Sequence, residues 1–288
     1  MVSSTRKSSP FFPSFIVLSL LLSSSFITAY GAQPSVVKGC PFNAVYSIGV
    51  KDSSTSPPWR SSFIPDAFTD SLTSQLISFT NYLSPICFTY PECLKKLERA
   101  LFVADLGSND YKYAFMNGKT PEEVQIFIPS LQKIIGTLES ELIKAGVSNI
   151  LVPGMLPLGC FPGYVSLLHN VDPTDFDAHN CHIGLNNVAI NYNNHVKESL
   201  SEMRDNRFYS HALSEEGDRP YSQTLYGDYY NAFMEVLRDN SNNPKALFHQ
   251  DGFHLSEKTN KYIVGKLLSG NNFLQPEIHL PDITHCVM

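Results

Sequence analysis

Hydrophobic positions along the chain switch between runs of about five residues and stripes at helical spacing. Ala44 to Ile48 is a short β-branched and aromatic run that stops at Gly49, the pattern of a buried strand. From Phe68 onward, Leu72, Leu76, Phe79 and Leu83 recur at spacings of four and three, which places one apolar stripe on an amphipathic helix. A second helix around Glu92 to Arg99 runs into the apolar strand Ala100 to Ala104, which ends at the loop LGSNDY. Thr120 opens a long helix: Pro121 suits the first turn, Glu123 completes a capping box, and Leu131, Ile135, Leu138 and Leu142 form the buried stripe. Pro129 is expected to kink this helix, and Gly146 to end it before the strand Asn149 to Pro153. Leu185, Val188, Tyr192 and Val196 mark another helix, from about Leu185 to Met203, followed by a polar segment to Pro220. Tyr221 to Tyr226 reads as a weak strand and Tyr229 to Leu237 as a helix, and Ser256 is placed to cap a last helix carrying Tyr262, Ile263 and Leu267.

Strands alternating with helices predict a three-layer α/β/α domain with a mostly parallel sheet. Such folds collect function at the carboxyl ends of their strands. That directs attention to the loops after Gly49, Asp105 and Val152 and to the late loop DGFHLS. The stretch VKDSSTSPPWRSSFIPD, with Trp59, reads as a surface loop, and there is no internal repeat.

Composition narrows the partners. A formal charge of −6, with no run of lysines or arginines, offers no footprint for nucleic acid or anionic lipid. Small molecules are the expected ligands. Residues 1–32 read as a secretory signal: Arg6 and Lys7 form a positive start, Phe15 to Leu22 an apolar run too short to span a bilayer, and small residues surround Ala29 to Ala32. Residues 33–288 then form a single domain with an extracellular or vacuolar destination and no stable membrane insertion. Secretion permits disulfides among the six cysteines; Cys87 with Cys93, bracketing a short loop, and Cys160 with Cys181 are the expected pairs. No Asn-x-Ser/Thr sequon is present.

Acyl transfer needs a nucleophile, a base, a group to orient the base and donors aimed at the developing oxyanion. In DGFHLS, Asp251 and His254 are spaced so that the carboxylate can meet imidazole Nδ1 and leave Nε2 free as the base. Gly107 and Asn109, directly after a buried strand, are suited to donate to an oxyanion. His249, Asp251 and His254 could also be drawn as metal ligands, but no second motif supports a metal, and no metal or cofactor is expected. The aromatic run Tyr226, Tyr229, Tyr230 and Phe233 reads as helix packing.

Together these segments resemble the plant secreted branch of the GDSL esterase/lipase family, the SGNH hydrolases. CPFNAVYSIG is similar to the family's first strand, ALFVADLGSNDY to its Gly-x-Asn-Asp block, NILVPGMLPLGCFP to a segment following a later strand, and GDYYNAFM and DGFHLS to its late blocks. The resemblance implies a flavodoxin-like α/β/α fold and Ser-His-Asp chemistry on acyl esters, of lipids or small plant metabolites. Asp251 and His254 would then be triad members, with Asn109 and Gly107 serving the oxyanion.

The chain departs from the family where the nucleophile is expected. The family's first strand runs into Gly-Asp-Ser, whereas here Ile48 and Gly49 are followed by Val50 and Lys51, and the pair Asp52-Ser53 stands two residues late. The family's next strand and its glycine-bearing oxyanion block have no counterpart between Gly49 and Phe68, which reads as an internal deletion that leaves the fold one strand short. A further shortening falls between Phe233 and His249. Ser53 is therefore either a shifted nucleophile or a loop serine, and the chain either an ester hydrolase or an inactive, shortened relative.

Overall fold

The computed structural model describes residues 44–48, 72–83, 97–213, 223–268 and 273–276, with isolated positions at 85, 89, 92 and 95. The expected signal sequence, Ser53, Trp59, Cys87 and Cys93 lie outside these residues. Four strands run parallel: β1 (Ala44–Ile48), β2 (Ala100–Ala104), β3 (Asn149–Pro153) and β4 (Gln223–Gly227). The short β5 (Leu274–Gln275) lies antiparallel beside β4, and the spatial order is β1-β2-β3-β4-β5. Register is continuous from Ala44 opposite Ala100 to Ile48 opposite Ala104, then Leu101 opposite Asn149, and Asn149 opposite Gln223. Phe102, Ile150, Val152, Leu225 and Tyr226 are all buried. Strands covered on both faces carry such apolar runs in place of strict alternation.

Helix α1 (Leu72–Leu83) buries Phe79 and Leu83, the stripe read from its spacing. Helix α2 (Ser108–Met116) follows β2 after the three residues Asp105, Leu106 and Gly107. The segment from Thr120 differs from the single kinked helix expected. Helix α3 (Pro121–Val124) starts at the predicted capping box, a 3₁₀ turn covers Gln125–Phe127, and helix α4 (Ile128–Lys144) begins afresh. Pro129 thus sits in the first turn of α4, where its missing N–H has no intrahelical acceptor to lose, and it starts a helix instead of bending one. The predicted stripe Leu131, Ile135, Leu138 and Leu142 is fully buried.

Helix α5 (Pro162–Val165) is a single turn after β3. Helix α6 (Ile183–Leu213) begins near the predicted start but continues well past Met203, through residues expected to be irregular. Helices α7 (Tyr229–Asp239) and α8 (Glu257–Leu268) pack together, with Leu274 of β5 against them. Ser256 Oγ accepts from the Thr259 amide at 3.3 Å, the cap expected there.

One cluster of buried side chains joins α1, α4 and α6 to the sheet, and a second joins α7 and α8 to Leu247 and Phe273. Helices on both sides of a parallel sheet give the α/β/α layers expected. Tyr226, Tyr229 and Phe233 are core residues, as their spacing indicated. Among the described residues no helix is long and apolar enough to cross a membrane.

Candidate functional site

The loop between the 3₁₀ turn Pro244–Leu247 and α8 is held by its own backbone. His249 N–H donates to the His254 carbonyl at 2.7 Å, Gly252 N–H to the His249 carbonyl at 3.0 Å, and Ser256 N–H to the Leu247 carbonyl at 2.8 Å. Gly252 turns the chain at φ 69°, a left-handed conformation that a side chain disfavours. Inside this turn the Asp251 carboxylate accepts from the amides of Phe253 at 2.9 Å and His254 at 3.0 Å. Its other oxygen is hydrogen-bonded to His254 Nδ1. Partial burial works against the Asp251 charge, but the His254 hydrogen bond and the two amides outweigh it and hold the carboxyl below the usual carboxylate range. The imidazole is 41% exposed, and with Nδ1 engaged by Asp251 it has Nε2 as its remaining nitrogen. His249 Nδ1 stands 3.8 Å from the same carboxylate on the outer side. Among the described residues no group of His, Cys, Asp or Glu is arranged to hold a metal.

The loop after β2 lies at the carboxyl edge of the sheet. Gly107 is buried at φ 82° and forms the N-terminal boundary of α2, its carbonyl accepting from the Tyr111 amide at 3.1 Å. Asn109 falls in the first turn of α2, and its side chain lies outside the described residues. Tyr192 of α6 donates its hydroxyl to the Leu106 carbonyl, which fixes the loop from below.

Two features of this region were not anticipated from the sequence. Asp105, the last residue of ALFVAD, is partly buried near Tyr164, Tyr192 and Tyr229, and burial pushes its carboxyl up to about 6, partly offset by a 2.6 Å hydrogen bond from Ser108 Oγ. An acidic residue closing an apolar run was the available clue. The second is a glycine junction: Gly163 of α5 donates its amide to the Gly252 carbonyl at 3.0 Å. A ring contact between Tyr164 and Phe253, centroids 5.2 Å apart, extends it.

These contacts bring the late loop to the β2 loop. Lys112 of α2 sets its ammonium 4.9 Å from the centre of the Phe253 ring, and Tyr164 also touches Phe115 of α2, centroids 6.0 Å apart. The loop that carries Asp251 and His254 therefore neighbours α2, the helix that Gly107 precedes and in whose first turn Asn109 falls. Below α5, Cys160 and Cys181 form the expected disulfide. The pairing of Cys87 with Cys93 and the position of Ser53 fall outside the described residues.

Comparison with known proteins gives this arrangement a context. The model of the GDSL-like Lipase/Acylhydrolase family matches residues 21–267. A GDSL esterase/lipase of Arabidopsis thaliana is 37% identical over 169 residues, covering 58% of this chain and 48% of its own length. Acetylajmalan esterase 2 of Rauvolfia serpentina is 29% identical over 240 residues, 71% of this chain and 62% of its own. Acetylajmalan esterase of the same plant is 34% identical over 169 residues, 58% of this chain and 40% of its own. The chain spans about half the length of the curated relatives it matches.

Proposed function

Because the chain belongs to the GDSL-like lipase/acylhydrolase family, we propose that it is a secreted carboxylic-ester hydrolase that uses His254 as general base. The observation that carries this reading is the Asp251–His254 hydrogen bond on a loop whose Phe253 meets Lys112 of α2, the helix that follows Gly107. Ser53 is the nucleophile in this reading. Its Oγ attacks the ester carbonyl while His254 Nε2 takes the proton, and the alcohol leaves with that proton as the acyl-serine forms. Water, activated by the same nitrogen, then releases the acid and restores Ser53. Asp251 holds the imidazole tautomer and supports the transient imidazolium, and Asn109 with Gly107 donates to the oxyanion. No metal or cofactor takes part. Two relatives are named as esterases of acetylajmalan, which favours an ester of a small plant metabolite over a lipid as substrate.

A second reading has its own support: a shortened relative without turnover, which binds ligands or has no activity. Flavodoxin-like sheets place the second strand in sequence outside the first, in the order 2-1-3-4-5. Here β1 pairs with β2 and, among the described residues, no strand flanks it on the other side. The match to acetylajmalan esterase 2 extends over 240 positions while taking in 71% of 288 residues, which is fewer than 240, so the relative fills positions that this chain skips.

A fluorophosphonate probe applied to the secreted protein separates the readings. Labelling that disappears in Ser53→Ala supports the hydrolase and removes the second reading. A wild-type chain that takes no label, while folded, rejects the hydrolase.

A further inference from the structure

The loop's own hydrogen bonds set the conformation of the turn that carries the base. Asp251 holds the His254 ring at Nδ1 and its backbone at the amide, but the turn that carries both residues is a surface loop, and its placement depends on what it is docked against. The dock is α5. Gly163 N–H reaches the Gly252 carbonyl at 3.0 Å, so the residue between Asp251 and the Phe253-His254 pair is tied directly to another element. The approach leaves no room on either side: a Cβ on Gly163 would stand 2.7 Å from the Phe253 ring and 2.8 Å from the Gly252 carbonyl carbon. A Cβ on Gly252 would stand 2.7 Å from the Gly163 nitrogen. Two facing glycines, one donating to the other, let the backbones meet at hydrogen-bond distance.

The dock is itself anchored from three directions. Tyr164 packs its ring edge on Phe253, and Phe161 lies 5.0 Å, centre to centre, from Phe248 at the start of the same loop. Gly159 N–H donates to Asn186 Oδ1 at 2.9 Å, and the Gly159 carbonyl accepts from His182 N–H at 2.8 Å, which fastens the segment before α5 to the start of α6. The Cys160–Cys181 disulfide closes the same connection covalently.

We propose that the Gly163–Gly252 junction positions His254: through it, the rigid strap from Gly159 to Tyr164 sets the height and angle at which the imidazole faces the β2 loop. Gly163 acts through Gly252 and touches no reacting atom, so it is a positioning residue. Its effect on turnover rests on the hydrolase reading, but its effect on His254 does not. An added methyl at Gly163 must push the Asp251–His254 turn outward. Unlike Gly252, Gly163 has no positive φ, so alanine there meets a steric obstacle without backbone strain.

The test is ¹⁵N-histidine NMR on the full secreted chain, with His254 assigned by its loss in His254→Gln. In the native chain the Nδ1 proton shared with Asp251 gives a signal of its own. In Gly163→Ala that signal shifts or disappears, while the ring signals of His195, on the outer face of α6, stay in place. Ester hydrolysis measured alongside falls in kcat by about 10²-fold with KM little changed, the effect of an ångström-scale misplacement of a reacting group. A folded Gly163→Ala with an unaltered His254 signal overturns the proposal. If Gly163→Ala does not fold, Tyr164→Leu decides: it removes the ring support from Phe253 without adding atoms to the junction, and an unaltered His254 signal there overturns the proposal equally. A native chain without ester hydrolysis rejects the assigned activity, and the NMR comparison still decides the positioning role.

Discussion

Replacing Asp105 by Asn tests the account of the β2 loop most directly. Burial near Tyr164, Tyr192 and Tyr229 raises this carboxyl from 3.8 to about 6. Between those two values the folded chain holds a proton that the unfolded chain has released. Stability therefore falls as pH rises through that window, and the penalty is complete and constant above it. A shift of about two units at 1.36 kcal/mol each sets an upper bound near 3 kcal/mol. Asp105 keeps some exposed surface, so solvent returns part of this, and about 1–3 kcal/mol is the expected cost at neutral pH. Asparagine keeps an oxygen to accept the Ser108 hydroxyl, now 2.6 Å from the carboxylate, and carries no charge at any pH. Urea unfolding at pH 7.5 is expected to show Asp105→Asn more stable than the native chain by that amount, with an unchanged m-value. The gain should shrink as pH falls through that window and vanish well below pH 3.8, where the carboxyl is protonated in both the folded and the unfolded chain. Equal midpoints at pH 7.5, or a gain independent of pH, would refute the burial argument.

Other expectations follow from the same contacts. Removing the disulfide by replacing Cys160 and Cys181 with serine opens a loop of sequence separation 21 and should cost roughly 2–4 kcal/mol, read by chemical denaturation under non-reducing conditions. In the proposed hydrolase reading, Asp251→Asn should lower ester turnover at neutral pH by about 10⁴-fold with the fold intact by circular dichroism, the effect of losing the group that holds the base's tautomer. Its cost in stability should be present at neutral pH and fade as pH falls through the lowered Asp251 range, because protonation of the native carboxyl then removes the same interactions. Thr120→Ala breaks a capping box in which Thr120 Oγ1 accepts from Glu123 N–H at 3.3 Å and Glu123 accepts from Thr120 N–H at 2.9 Å. It should lower stability by about 1 kcal/mol in a urea melt.

Local pattern was enough for the elements that depend on local chemistry. The strands Ala44–Ile48, Ala100–Ala104 and Asn149–Pro153 begin and end where the apolar runs do, because each is bounded by glycine, a polar residue or proline. The stripe of α4 was legible from four leucines and isoleucines, all buried. The end of α6 was not: beyond Met203 the residues are mostly polar, yet Arg204, Arg207, Ala212 and Leu213 favour helix on their own, and the helix runs on to Leu213. The break at Gln125–Phe127 was equally hidden, since Pro129 is compatible with a kink or a start and packing decides between them. At the site, the spacing of Asp251 and His254 anticipated their hydrogen bond because both partners lie on one turn. The contact of Gly163 with Gly252 joins segments distant in sequence, and no window along the chain contains it.

The sheet register has a bearing on how the chain folds. Among the described residues no strand of the parallel part pairs with another through a short turn: Ala44 finds Ala100, Leu101 finds Asn149, and Asn149 finds Gln223 only after the whole of α6 has been laid down. Each pairing closes a long stretch of chain before any ladder hydrogen bond compensates the lost entropy, so contact order is high and folding is expected to be slow. The β3–β4 pairing spans the longest separation of the three, which makes it the expected late step. Until it forms, the apolar edge of β3 and the inner face of α7 remain open to other chains, and yield on refolding should fall as protein concentration rises.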